Sequence, residues 1–183
     1  VVVILSDGQT TGTQRVDAAF DWAKDSTHLI GVGAPLLFSQ RSRIAPTSTT
    51  TAFANYFTVS ADNCLFQNVA IVQDFATDGD NQIALTVSGE RNVFKNCHIA
   101  GIAKGSDAGG RCLKLSGSGE NLFEDCVIGL DTIDRSAANA NIEFSGGTAR
   151  NVFRGCLIPS RVTAATPLAV KVAAAAGADR FQL

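Results

Sequence analysis

The sequence has no methionine and only one tryptophan, one tyrosine and two histidines among its 183 residues. Charged residues are also scarce, at 17%, and fifteen basic against seventeen acidic side chains leave a formal net charge of -2. So balanced a chain lacks the basic surface that nucleic-acid binding requires. Its longest apolar runs, such as residues 168–176, fall far short of the roughly 20 residues that cross a bilayer. We therefore expect neither a nucleic-acid partner nor a membrane segment.

Apolar residues, by contrast, are plentiful. Hydrophobic residues make up 45% of the sequence, which is enough for a packed core and excludes a disordered chain. The length predicts one domain, or two at most. The sequence starts without methionine inside a strand-like run and stops inside a repeated motif, so we expect it to be a piece of a longer protein.

A motif of the form Asn-x-Phe-x-Asn-Cys-x-Ile recurs every 28 to 30 residues. Its phenylalanines are Phe66, Phe94, Phe123, Phe153 and Phe181. Its isoleucines are Ile71, Ile99, Ile128 and Ile158, and three copies place cysteine between the two, at Cys97, Cys126 and Cys156. A second strand-like segment precedes each copy. Repetition at this period is typical of solenoid folds, in which each unit buries its apolar face against its neighbours.

Alternation within the motif predicts short strands. With a period of two, the Phe, Cys and Ile positions share one face, and the position after Phe lies on the other. That outer position alternates in charge through Lys95, Glu124 and Arg154, which predicts a surface ladder of ion pairs. The Asn, Asp or Gly two residues after Phe predicts a corner. Stacked coils of this kind form a right-handed parallel β-helix, with the Phe, Ile and Cys side chains in columns inside.

On this motif, across about residues 58–183, the chain resembles the pectin-lyase-like superfamily of parallel β-helices. Residues 28–35 and 39–44 are similar to the opening coil of β-helix proteins encoded among tailed-phage virion genes. The second resemblance implies a capsid decoration (cement) protein or a tailspike-like part. It further implies a virion location after assembly in the host cytoplasm, a homotrimer, and capsid or other virion proteins as partners.

The N-terminal part is expected to cap the coils. Val16, Phe20 and Ala23 fall on one helical face, with Thr13 as a possible N-cap, so residues 17–24 predict a short α-helix. Such a helix would cover the open edge of the first coil. The chain is then divided into residues 1–45, with a strand, the capping helix and a first coil, and residues 46–183, the β-helix.

The cysteine column has two interpretations. Cys97, Cys126 and Cys156 would lie one strand spacing apart, as a disulfide or metal ladder or as a row of buried free thiols. Three thiols in one column cannot all pair, and the sequence has no Cys-x-x-Cys motif. Free cysteine also behaves as a small apolar residue. The sequence therefore predicts free thiols, no metal site and no cofactor.

Acidic residues in the loops after the Ile position are the candidates for catalysis. They are Asp74, Asp78, Asp80, Asp107, Asp131 and Asp134. Paired carboxylates could serve glycoside hydrolysis, and Lys104 or Arg111 could assist a lyase. Aspartate in loops is more often turn chemistry, however, and these loops lack an aromatic platform for a sugar. The sequence therefore predicts no catalytic residues and no enzyme. The alternative is a tailspike-like polysaccharide hydrolase or lyase that acts by these loop carboxylates.

The outward position before the Ile column favours the structural interpretation. It holds Ala70, Val127 and Leu157, an apolar strip that predicts an interface with partner chains. The expected function is therefore a phage virion structural protein, a capsid decoration protein built as a β-helix.

Overall fold

The computed structural model describes residues 1–4, 18–35, 42–46, 54–73, 82–102, 104–117, 119–173 and the backbone of Phe181–Gln182. These residues form nineteen β-strands that pair in parallel, and none of them is helical. The strands wind into about five coils of about 28 residues. The predicted all-β parallel β-helix is thereby confirmed. No helix in the described residues is long and apolar enough to cross a membrane.

Three sheets form the walls of the solenoid. Sheet 1 consists of β1 (Val2–Ile4), β3 (His28–Gly31), β6 (Leu65–Gln67), β9 (Val93–Lys95), β12 (Leu122–Glu124), β16 (Asn151–Arg154) and β19 (Phe181–Gln182). Sheet 2 consists of β4 (Arg43–Ile44), β7 (Ala70–Val72), β10 (His98–Ala100) and β13 (Val127–Ile128). Sheet 3 consists of β2 (Phe20–Trp22), β5 (Asn55–Val59), β8 (Ile83–Val87), β11 (Arg111–Ser116), β15 (Ala140–Ser145) and β18 (Leu168–Val172). A separate pair, β14 (Leu130–Arg135) and β17 (Ser160–Val162), lies between sheets 2 and 3 along the chain.

The core contains a stack of four phenylalanine rings. Phe66, Phe94, Phe123 and Phe153 are paired in register, with ring centroids 4.7 Å apart and ring planes within 8° of parallel. Leu29 fills the same column in the coil before. In-register parallel pairing sets the ring spacing, because equivalent residues of adjacent strands lie about 4.8 Å apart.

The Ile and Cys columns line the other inner walls. Ile71, Ile99 and Ile128 are fully buried, and Ile158 is partly buried against the same core. Cys97 and Cys126 are buried, whereas Cys156 is only half-buried. All five cysteines are free.

The turn from sheet 1 to sheet 2 is made by the predicted corner residues. Asn68, Asn96, Asp125 and Gly155 have φ values of 56°, 50°, 53° and 64°. Asparagine, aspartate and glycine adopt this left-handed conformation at the least cost. The prediction of a corner is confirmed.

The first asparagine of the motif forms a buried ladder that the sequence analysis missed. Asn92, Asn121 and Asn151 are all buried. Asn92 Oδ1 accepts a hydrogen bond from Cys64 N at 2.8 Å, Asn121 Oδ1 one from Asn92 N at 2.9 Å, and Asn151 Oδ1 one from Asn121 N at 3.1 Å. The ladder satisfies backbone donors at the corner between sheets 3 and 1, where the strand ladder is interrupted.

Two local predictions are wrong. The described part of the expected capping helix contains strand β2, in which Phe20 pairs with Phe57 and Trp22 with Val59. This pairing places Phe20 and Trp22 on the side of sheet 3 that faces the core. The packing contacts that they gain there outweigh the helical pattern of the local sequence. At the other end, Phe181 pairs with Asn151, so it lies two residues out of register with the Phe column. Thr13 and Val16 lie outside the described residues.

Candidate functional site

The outer face of sheet 3 carries one polar side chain per coil. Strand register aligns Asp21, Thr58, Thr86, Lys114, Glu143 and Lys171 in a column. Their strand neighbours, such as Leu113 and Leu115, are buried, so the column lies on the solvent side. A second column follows two residues later and consists of Ser60, Ser88, Ser116 and Ser145. We call these two columns the sheet 3 face.

An ion-pair cluster lies at one end of the sheet 3 face. Arg111 Nε donates to Glu143 Oε2 at 2.6 Å, and Lys171 Nζ lies 3.2 Å from the same oxygen. The side chains of Arg111 and Glu143 are only 5% and 10% exposed. Lys114 pairs with Glu143 in the strand register, so its amino group belongs to the same region. Two cations thus contact one carboxylate and leave an excess of positive charge.

The environment of Glu143 decides its protonation state. Burial alone would raise the pKa of this carboxyl, but hydrogen bonds and positive charge from Arg111 and Lys171 outweigh it and hold the pKa below its ordinary value. Glu143 is therefore ionised at neutral pH. Such a carboxylate can attack an electrophile or accept a proton, but it cannot act as a general acid.

Glu143 has no carboxylate partner on the described part of this face. The other acidic residue of the column is Asp21, which lies four strands away and accepts hydrogen bonds from Ser60 Oγ. Four strand spacings amount to about 19 Å. The two carboxyl groups of a glycosidase lie about 5 to 9.5 Å apart, so Asp21 and Glu143 do not form such a pair.

A buried arginine braces the loops where the strands of sheet 3 begin. Arg135 Nε donates to Asn139 Oδ1 at 2.7 Å, and its Nη1 atom donates to Asn141 Oδ1 and to Ser160 Oγ. Its Nη2 atom reaches the carbonyls of Asn139 and Leu168 at 2.9 and 2.8 Å. Burial lowers the pKa of this guanidinium. All five of its N–H donors nonetheless find an acceptor, and each acceptor is uncharged. Arg135 thereby links β14 and β17 to sheet 3 by hydrogen bonds. These bonds hold the start of β15 and β18 in place at the edge of the sheet 3 face.

The loop carboxylates that the structure describes form no acidic cluster. Asp107 is buried and accepts bonds from Gln82 N and Gly109 N, which is turn chemistry. Asp134 pairs with Arg161 Nε at 2.6 Å, and Asp131 is exposed. The described residues contain no group of three His, Cys, Asp or Glu side chains that could hold a metal ion. Asp74, Asp78 and Asp80 lie outside the described residues.

The predicted apolar contact strip is wrong for one of its members. Ala70 is fully buried and packs with Ala45, Val72 and Ala100 in a second apolar cluster. Val127 is half-buried, and Leu157 is 51% exposed. These three residues therefore do not form a continuous exposed strip.

Charge ladders run along the outside of sheet 1. The predicted one is present: Glu124 lies 2.7 Å from Lys95 Nζ and 3.4 Å from Arg154 Nη1. A second ladder, missed in the sequence, joins Glu120 to Arg91 at 2.7 Å and to Arg150. Both central glutamates are already paired on two sides.

The chain matches no protein-family model and no curated protein. It is similar to the solved structure of pectin methylesterase PemA from Erwinia chrysanthemi, with a TM-score of 0.46 and 22% identity over 74% of this chain and 43% of that one. It is also similar to a pectin methylesterase in complex with a hexasaccharide (TM-score 0.48, 18% identity, 85% of this chain and 58% of that one). A third match is the pectin methylesterase from Aspergillus niger (TM-score 0.38, 11% identity, 98% and 86%). The chain thus spans less than two thirds of the length of the first two.

These similar structures are enzymes, which contradicts the prediction that the chain is not an enzyme. At this level of identity the likeness concerns the fold and leaves the reaction open. Nothing in it points to a virion.

Proposed function

We propose that this chain is the β-helical part of a carbohydrate-active hydrolase, which holds an anionic polysaccharide along the sheet 3 face. One observation carries the proposal. Glu143 is an ionised carboxylate that pairs with Arg111 and Lys171 on the outer face of sheet 3, with Lys114 as its neighbour in the strand register. The excess positive charge favours an acidic substrate.

The repeating surface suits a repeating ligand. The sheet 3 face presents equivalent positions once per coil, about 4.8 Å apart. Thr58 and the serine column supply hydroxyls that both donate and accept hydrogen bonds, as sugar hydroxyls do. Successive sugars of one chain can therefore meet equivalent groups in successive coils.

The single carboxylate favours hydrolysis of an ester over cleavage of a glycosidic bond. A glycosidase needs a second carboxyl as the general acid, whereas an ionised carboxylate can itself attack an ester carbonyl carbon. Attack by Glu143 would expel the alcohol, which takes a proton from water, and leave an acyl-enzyme. Water would then hydrolyse the acyl-enzyme and restore the carboxylate. Lys114 is placed to stabilise the negative oxygen that develops on the carbonyl.

The test uses methyl-esterified and de-esterified polygalacturonate, with amylose as the neutral control. Acid release reports ester hydrolysis, new reducing ends report glycosidic hydrolysis, and unsaturated ends report a lyase. We expect acid release from the esterified polymer, its loss in Glu143→Gln, and about 100-fold slower release in Lys114→Gln.

The matched controls are Glu124→Gln and Lys95→Gln. These two residues are also a glutamate and a lysine on adjacent strands, but they lie on sheet 1 and not on the sheet 3 face. Both should keep full activity. Equal loss in the Glu143 and Glu124 variants, or release of unsaturated ends by the unaltered protein, would refute the proposal. The virion location, the homotrimer and the capsid partners expected from the sequence stay predictions.

A further inference from the structure

The outer side of sheet 1 carries a column of apolar side chains, one from each of four successive coils. Strand register aligns Leu65, Val93, Leu122 and Val152. Their neighbours in the Phe column are buried, so these four side chains point away from the core, and each is only half-buried. Polar residues continue the register at both ends, with His28 before Leu65 and Gln182 after Val152. The column is therefore an apolar patch with polar limits.

The two charge ladders of sheet 1 lie on either side of this column. Each ladder alternates positive, negative and positive in successive coils. The ladder two residues before the column consists of Arg91, Glu120 and Arg150. The ladder two residues after the column consists of Lys95, Glu124 and Arg154. An apolar centre with charged margins is typical of a protein–protein interface. We call the column and its two ladders the sheet 1 face.

Two copies of the sheet 1 face can meet about a twofold axis that runs along the strands, midway between β9 and β12. The two solenoids then point in opposite directions, and each ladder lies against its own copy. Arg91 faces the partner's Glu120, and Lys95 faces the partner's Glu124. Symmetry doubles these contacts to four pairs of opposite charge. A carboxylate accepts about four hydrogen bonds, so a glutamate paired twice within its own chain can accept a third cation.

The same axis brings the apolar columns together. Val93 lies against the partner's Leu122, and Leu65 lies against the partner's Val152. Sheets that pack face to face are about 10 Å apart, and their side chains interdigitate. All four apolar side chains of each copy are thereby removed from water, which supplies the attraction.

The cations that remain meet no like charge. Across the axis, Arg150 faces the partner's Asn63, and Arg154 faces the partner's Gln67, which are uncharged and occupy the ladder positions one coil before Arg91 and Lys95. A twofold axis along the solenoid is unfavourable by comparison. It would keep equivalent coils opposite each other, so that glutamate would face glutamate and cation would face cation.

We propose that the sheet 1 face binds a second copy of this chain in an antiparallel dimer with twofold symmetry. The charge complementarity across this axis favours a second copy over other partners. Stable dimers bury about 800 Å² per partner, whereas only four coils contribute here, so we expect a reversible dimer that salt weakens. The inference is independent of the proposed enzymatic function, because the sheet 3 face lies on another wall of the solenoid.

The experiment is sedimentation equilibrium over about a hundredfold range of protein concentration, up to about 1 mM. The decisive variants are Lys95→Glu and Glu124→Lys, each of which places like charges opposite each other twice in the dimer. Each variant alone should associate at least about tenfold more weakly than the unaltered chain. An equal mixture of the two should recover the unaltered association, because each substitution then meets the other across the axis.

Leu122→Lys tests the apolar column. The added ammonium group lies between two glutamates of its own chain but opposite two cations of the partner, so it disfavours the dimer and not the fold. Leu157→Lys is the matched control, because Leu157 is 51% exposed and lies outside the sheet 1 face. We expect dimers in the control and monomers in Leu122→Lys, and circular dichroism verifies that both are folded.

A monomer at every concentration would overturn the proposal and leave the sheet 1 face to a partner of another kind. A trimer would overturn it as well, and so would a dimer that Leu122→Lys leaves unchanged. If the two charge-reversed variants do not recover each other on mixing, the antiparallel arrangement is wrong.

Discussion

Replacement of Phe123 by alanine is the sharpest test of the stacked core. The ring is fully buried and lies 4.7 Å from both Phe94 and Phe153, so its removal opens a cavity between two rings. Backbone hydrogen bonds between coils hold the strand spacing, and the cavity therefore cannot collapse. Truncation of buried phenylalanine costs about 3–5 kcal/mol, and we expect the upper part of that range. Two lost ring contacts, each worth about 0.5–1.5 kcal/mol, are included in it.

The assay is urea denaturation followed by circular dichroism, in which a lower midpoint at constant slope reports lost stability. Phe20→Ala is the control, since Phe20 is 40% exposed and its truncation should cost about 1–2 kcal/mol. Phe123→Leu should cost about 1.5 kcal/mol, because Leu29 occupies the same column in the coil before that of Phe66. If Phe123→Ala lowers the free energy of unfolding no more than Phe20→Ala does, the proposed coil register is wrong. The inference that the cavity cannot collapse would then be wrong as well.

Three further predictions concern buried polar groups and thiols. Asn121→Ala should destabilise the fold by about 1–3 kcal/mol in the same assay, because Asn92 N loses its acceptor in a buried corner; a change within error would show that water replaces the amide. Burial lowers the pKa of His98, so the folded state binds its proton less well than the unfolded chain, and the free energy of unfolding should fall as the pH drops below about 6.5. That part of the pH dependence should vanish in His98→Gln, and an identical profile in both proteins would contradict it. Cys112 is buried, whereas Cys156 is only half-buried, so alkylation of the native protein followed by mass spectrometry should modify Cys156 first and leave Cys112 intact. Rapid labelling of Cys112 would disprove this.

Much of the fold follows from the sequence, because the repeat specifies both the inner columns and the corners of each coil. The Phe and Ile columns recur at nearly equal spacing, and the corner residues tolerate positive φ, so one coil predicts the next. The buried ladder of Asn92, Asn121 and Asn151 repeats just as regularly, and its signal was present in the motif. It was missed because only the positions from Phe to Ile were assigned a place in the coil.

The ends of the described chain were less predictable. Around Phe20 and Trp22 the sequence satisfies the period of a helix and also the alternation of a strand. The choice depends on Phe57 and Val59, which offer a paired strand from the next coil. Local pattern alone does not contain that partner.

By itself, the sequence determined the solenoid, its period, its corners and the identity of its inner columns, because these features depend on residues that recur at fixed spacing. Only the tertiary structure decided which polar residues meet. Arg111 and Glu143 are 32 residues apart, and their ion pair exists because strand register lays β11 beside β15. Likewise, Ala70 is buried in an apolar cluster with Ala45, Val72 and Ala100, which come together only when β4, β7 and β10 lie side by side. Contacts between coils depend on the strand register, which the residues of a single strand do not specify by themselves.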